Sequence, residues 1–209
     1  MGPAWLRSLA SLISYVFHPV FMPVLLSVII WRIQPAAFAG MTPHTLLFRF
    51  ISLTSTTIFF PLLTVALLKA LGFLESIHMR VSKDRVIPLI ATMTFYFWAQ
   101  QVFHHLQDTP QIINILLLGS FWAVVLLFMA SIFFKVSMHT TAAGGAIGIM
   151  AVLLFLSPFN MLSAFFATII IGGIVGTARL ILREHTSFEI WVGYLIGLLS
   201  QLAAWWYMS

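Results

Sequence analysis

Seven long apolar runs, separated by short polar stretches, constrain this chain more than any other feature. They lie at about 12–32, 48–73, 86–104, 112–134, 139–157, 161–182 and 188–208. A bilayer core of about 30 Å is crossed by roughly 20 apolar residues in a helix. In lipid every backbone N–H and C=O must be satisfied within the chain, and no run here alternates with the period of a strand. The expected fold is therefore all-α, a polytopic transmembrane bundle of six to seven spans forming one domain over 1–209. Only 7% of the residues are charged and 61% are hydrophobic, where a water-soluble domain carries about a quarter charged. The opening stretch "MGPAWLRSLASLISYVFHPVFMPVLL" lacks a small-residue cleavage site after a short apolar core, so no cleaved signal peptide is expected. Residues 1–10 read as an interfacial lead-in, and Pro19 and Pro23 predict a kink at the start of the first span. Trp31, Trp98, Trp191, Trp205 and Trp206 fall near predicted ends, as an interfacial aromatic belt requires. The expected location is a bacterial inner (plasma) membrane.

The polar residues between these runs are unevenly placed. The segments 75–88 ("ESIHMRVSKDRVIP"), 135–141 ("KVSMHTT") and 176–189 ("GTARLILREHTSFE") follow the second, fourth and sixth spans. Two spans separate each from the next, so all three emerge on one membrane face. Arg7, Lys69, Arg80, Lys83, Arg85, Lys135, Arg179 and Arg183 lie on or toward that face, and only Arg32 and Arg49 toward the other. The opposite loops "HHLQDTPQ" and "SPFN" hold no Lys or Arg. This bias is the pattern of a cytoplasmic face, but the same bases are candidates for ligand binding, so the side stays open. No basic stripe lies outside the apolar runs, which excludes nucleic acid as a partner. The chain has no cysteine, which excludes disulfides, thiolate metal sites and cysteine nucleophiles.

Several guanidinium and ammonium groups converging at a membrane boundary suit a dense anion such as phosphate. A fifth span starting near His139 would turn its free N–H groups toward the same space. Two histidines there suit attack on phosphorus by one ring and protonation of the leaving oxygen by the other. A nucleophilic histidine needs its far nitrogen held by an acceptor, and Glu189 stands four residues after His185, on the same helical face.

At these positions the sequence resembles the type 2 phosphatidic-acid phosphatase superfamily. The family's third motif is Ser-Arg, five residues, His, three residues, Asp; here Ala178-Arg179, "LILRE", His185, "TSF" and Glu189 keep that spacing. The second, Pro-Ser-Gly-His, is matched in part by Val136-Ser137-Met138-His139, and the first by Lys83-Asp84-Arg85 with Pro88. Ala178, Met138 and Glu189 replace the family's serine, glycine and aspartate. The resemblance implies a metal-independent lipid phosphate phosphatase without cofactor. In it His185 is the nucleophile, Glu189 orients it, and His139 is the acid. Lys83, Arg85, Ser137 and Arg179 would cradle the phosphate, with Arg80 as a substitute for a displaced lysine. Phosphatidate, phosphatidylglycerophosphate, a polyprenyl diphosphate and a phosphorylated glycolipid all suit such a site. The alternative is a catalytically degenerate accessory or lipid-binding subunit with protein partners in a membrane complex. A small transporter is a weaker reading, since no span has a charged, unwound middle.

Local structural roles compete with these assignments. Thr186 and Glu189 fit a helix-start capping box. Lys135 and Lys69 can snorkel from span ends, and Arg183 and Glu184 read as solvated interfacial residues. Asp84 reads as a helix cap or an arginine partner. His104 and His105 near Asp108 lie on the opposite face without a third good metal ligand, and His18 and His44 read as interfacial. "AAGGAIG" and "IIGGIVG" are expected to be faces of close helix packing.

Overall fold

A computed structural model describes residues 3–73 and 86–209. The described chain is helical without strands, and seven of its segments are long and apolar enough to cross a membrane. The helices are α1 (Ala4–Val16), α2 (Met22–Ile33), α3 (Pro43–Thr54), α4 (Phe60–Ala70), α5 (Val86–His105), α6 (Gln111–Ser131), α7 (Met138–Leu156), α8 (Leu162–Ile181) and α9 (Ser187–Met208). The chain is an integral membrane protein, and its lipid-facing surface carries large apolar side chains such as Phe166, Ile170 and Trp206.

The first span departs from the sequence expectation. The lead-in over 1–10 is not separate from a helix over 12–32; α1 runs from Ala4 to Val16 and the break follows it. His18 is extended (φ −67°, ψ 132°) because the ring of Pro19 disfavours the helical region for the residue before it. The chain then makes a 3₁₀ turn over Pro19–Phe21 and re-enters a helix at Met22. The second span is also interrupted. A π turn at Ser55–Phe59 joins α3 to α4, immediately before Pro61, whose missing N–H and bulky ring disrupt the regular ladder. The hydroxyls of Thr56 and Thr57 donate back to the carbonyls of Ser52 and Leu53 and satisfy the disturbed turn.

Helix α7 is the centre of the bundle, with 61% of its apolar window buried against 22% for α8. It packs backbone-to-backbone on α9. A Cβ added to Gly197 would land inside the envelope of the Thr141 carbonyl oxygen, and one on Gly144 would strike Tyr194. Small residues permit that approach where lipid supplies no hydrophobic drive between helices. The packing face read at "AAGGAIG" is therefore present, while in "IIGGIVG" Gly172 and Gly176 are packed and Gly173 is open. A cluster of Leu89, Leu127 and Val136, joined by Met138, ties the start of α5 to the α6–α7 turn. The start of α5 thus lies at the same end of the bundle as 135–141.

Candidate functional site

The end of the bundle formed by the α6–α7 and α8–α9 connections is built from local signals. Ser137 caps α7: its Oγ accepts from the Thr140 N–H at 3.4 Å, and its carbonyl accepts from the Thr140 and Thr141 hydroxyls. Helix α7 therefore begins one residue before His139, as expected. Helix α8 ends at Leu182 with Arg183 in the left-handed region (φ 56°). The Arg183 N–H donates to Leu180 O at 3.0 Å and the Glu184 N–H to Arg179 O at 3.3 Å. These two bonds define a Schellman turn, in which the position held by Arg183 is usually glycine. Four residues later α9 opens on a complete capping box between Thr186 and Glu189.

This tight connection sets His185 beside Glu189. The His185 Nδ1 and the Glu189 Oε2 are 2.9 Å apart, and the imidazole side chain is 3% exposed. A carboxylate can only accept, so Nδ1 carries the proton and the lone pair of the neutral ring sits on Nε2. The same Oε2 also accepts from the Thr186 backbone N–H at 3.2 Å. The capping role and the histidine-orienting role thus reside in one oxygen. The backbone N–H of Ser137 donates to the carbonyl of Glu189 at 3.4 Å, which joins the second and third motif segments directly.

Arg179, on the last turns of α8, donates from Nη1 to Ser14 Oγ at 3.2 Å. Its Nε is buried with no hydrogen-bond partner, and no carboxylate pairs with it among the described residues. His139 is within electrostatic reach of Arg179, His18 and His185. Its Nε2 lies 3.1 Å from the Ser14 carbonyl oxygen, which fixes the proton on Nε2 and leaves Nδ1 as the other functional atom of the neutral ring. Met138 packs its side chain on the Leu89–Leu127–Val136 cluster.

Two residues that the sequence reading did not assign to the site belong to this cluster. Ser14 touches both Arg179 and His139, while donating its own hydroxyl proton to Ala10 O at 2.9 Å. His18, read from sequence as interfacial, packs edge-to-face on His139 with ring centroids 5.4 Å apart. Its Nδ1 accepts from the Val20 N–H at 3.4 Å and so caps the turn after α1. A signal for both was available: Ser14 and His18 are four apart, directly before a proline that ends the helix.

The remaining candidates have varied placements. Ser137 is fully buried, so its hydroxyl frames the site from below its surface. Lys135 is held by the α8–α9 connection: its Nζ donates to the Glu184 carbonyl at 3.0 Å and lies 3.7 Å from Glu184 Oε2. Lys83, Arg85 and Arg80 fall outside the described residues, as does Asp84. His104 and His105 are exposed and meet edge-to-face, away from this cluster. His44 is exposed and packs on Phe48.

No known family model matches the chain, and neither does any characterised protein or solved structure.

Proposed function

We propose that this protein is a membrane-embedded phosphatase that hydrolyses a lipid phosphate or diphosphate through a phosphohistidine intermediate. The observation that carries the reading is the His185–Glu189 pair, 2.9 Å apart and joined through the α7 cap to the helix that bears His139. Arg179, without a carboxylate partner among the described residues, supplies positive charge beside it. In the first step His185 Nε2 attacks phosphorus, the bond to the lipid oxygen breaks, and His139, entering this step as the imidazolium, gives that oxygen the proton on Nδ1 and is left as the neutral Nε2–H ring. In the second, water attacks the phosphohistidine while His139 takes the water's proton, and inorganic phosphate leaves. Arg179 neutralises the equatorial oxygens in both steps, and Arg80, Lys83 and Arg85 are assigned to the same task on the grounds of sequence. The resemblance to the type 2 phosphatidic-acid phosphatase superfamily supports this assignment of roles. A plasma membrane, bacterial by this reading, is the setting in which such a substrate is met.

The test is phosphate release by the purified protein from a panel of lipid phosphates, together with acid-labile phosphate trapped on the chain. His185→Ala should abolish both while leaving the thermal unfolding profile in place. Equal release by the variant and the parent would sink the mechanism.

A second reading, a phosphatase-like accessory or lipid-binding subunit, is favoured by one contact. Ser14 occupies both Arg179 and His139, two of the groups that turnover requires. An accessory subunit would bind lipid phosphate without releasing phosphate and would co-purify with other membrane proteins.

A further inference from the structure

At the start of α6, the end of the bundle opposite the His185 site, lies a cavity of about 20 Å³. It is bounded by α3, by the 3₁₀ turn after α2 (Pro35–Phe38) and by the α5–α6 connection. A cavity of that size holds a water or one small ion. Phe38, Leu53 and Phe103 stand in its walls, and the polar side chains of the lining are Ser27, Arg49 and Thr109. The Ser27 hydroxyl already donates to the Pro23 carbonyl at 2.8 Å. The other two differ: Arg49 Nε and Thr109 Oγ1 are buried, and neither has a hydrogen-bond partner among the described residues. No carboxylate pairs with Arg49 among them, and Asp108, next to Thr109 in the chain, is exposed and in no salt bridge there. Arg32, the other base toward this face, is accommodated by the Trp31 ring, 4.8 Å from its guanidinium carbon.

We propose that this cavity is a binding site for a single-atom monovalent anion, chloride or another halide, held between the Arg49 guanidinium and the Thr109 hydroxyl. Arg49 stands within the membrane-spanning segment Pro43–Ala70, where a charge is matched by a partner or by water. Water would satisfy an N–H and an O–H but leave the charge unbalanced, and a cation would add to it. Size decides among anions. A carboxylate or a phosphate brings several heavy atoms together, and the cavity has room for about one. A halide accepts from both donors and, being weakly hydrated, sits easily against an apolar wall. The two donors come from α3 and from the α5–α6 connection, so the ion ties the second span to the start of α6. This site is independent of the phosphate chemistry at the other end of the bundle.

The experiment follows the chloride NMR signal of a sodium chloride solution containing the purified full-length chain in detergent. Exchange of chloride on and off the site broadens that signal, and sodium bromide is titrated in as competitor while sodium gluconate holds the ionic strength. Bromide should reverse the broadening in the parent, and sulfate at the same ionic strength should not. Arg49→Gln removes the charge and should weaken bromide binding by about tenfold or more, the effect of losing a hydrogen bond between charged partners. Thr109→Val keeps the side-chain shape, removes one donor, and should weaken it by about fivefold or more. It decides the question should Arg49→Gln not fold. A parent without bromide-reversible broadening overturns the site, and so does parent affinity in either folded variant. Sulfate as effective as bromide overturns the single-atom ligand.

Discussion

Glu189 performs two tasks with one oxygen, and a single substitution can separate them. Its Oε2 accepts from His185 Nδ1 at 2.9 Å and from the Thr186 N–H at 3.2 Å. In Glu189→Gln the amide oxygen can take both bonds, and glutamine is an accepted capping-box residue. What is lost is the negative charge, worth about 0.3–1 kcal/mol against the α9 dipole. Glu189→Ala loses the cap and strands a buried imidazole N–H as well, for a total of about 2–4 kcal/mol. Turnover should respond differently. When His185 attacks phosphorus its ring gains positive charge, and a carboxylate stabilises that charge where an amide does not. Replacing a charge-assisted bond by a neutral one costs the transition state about 2–3 kcal/mol, or about 30- to 150-fold in rate. The assay pairs phosphate release with thermal unfolding followed by tryptophan fluorescence, for which the chain has seven tryptophans. Glutamine should be nearly as stable as the parent but slow, and alanine both unstable and slow. Full turnover by Glu189→Gln would remove the dyad from the mechanism. Equal destabilisation by Gln and Ala would show that the charge, not the hydrogen bonding, holds the turn.

Ser14→Ala removes the acceptor for Arg179 Nη1 but keeps the carbonyl that holds His139. Orthovanadate affinity should fall about tenfold, with Ser14→Thr near the parent; equal affinity in all three would show that Arg179 needs no such support. Arg183→Gly relieves a left-handed backbone conformation (φ 56°) and should stabilise the chain by about 1 kcal/mol, raising Tm by about 2–4 °C. A lower Tm would show that the Arg183 side chain, not its backbone position, holds the α8–α9 turn.

Much of this molecule was legible because its signals are local. Each membrane span is written as a run of apolar residues long enough to cross a bilayer. The capping box at 186–189 and the pairing of His185 with Glu189 follow from spacings of three or four residues, and the start of α7 near His139 from the end of the polar stretch before it. The two interruptions were harder to read. Pro19 and Pro23 announced the first and the second went unread, and whether the chain turns, as at His18, or widens into a π turn, as at Ser55–Phe59, depends on what packs around it. Met138 shows the limit of motif comparison. Its side chain is heavier than the glycine of the motif that this stretch resembles, and it packs on the Leu89–Leu127–Val136 cluster.

The sequence by itself determined an all-helical membrane bundle, since burial of backbone in lipid and the absence of a strand's period leave no other arrangement. Only the tertiary structure decided that α1 lies against α8. That placement brings Ser14 to residues 125 and 165 positions away and sets His18 on His139. Apolar helices in lipid have many partners of similar energy, and the choice among them is made by side-chain shape over the whole bundle. A hydroxyl and an imidazole on an otherwise oily helix show that something polar must face them, without showing what.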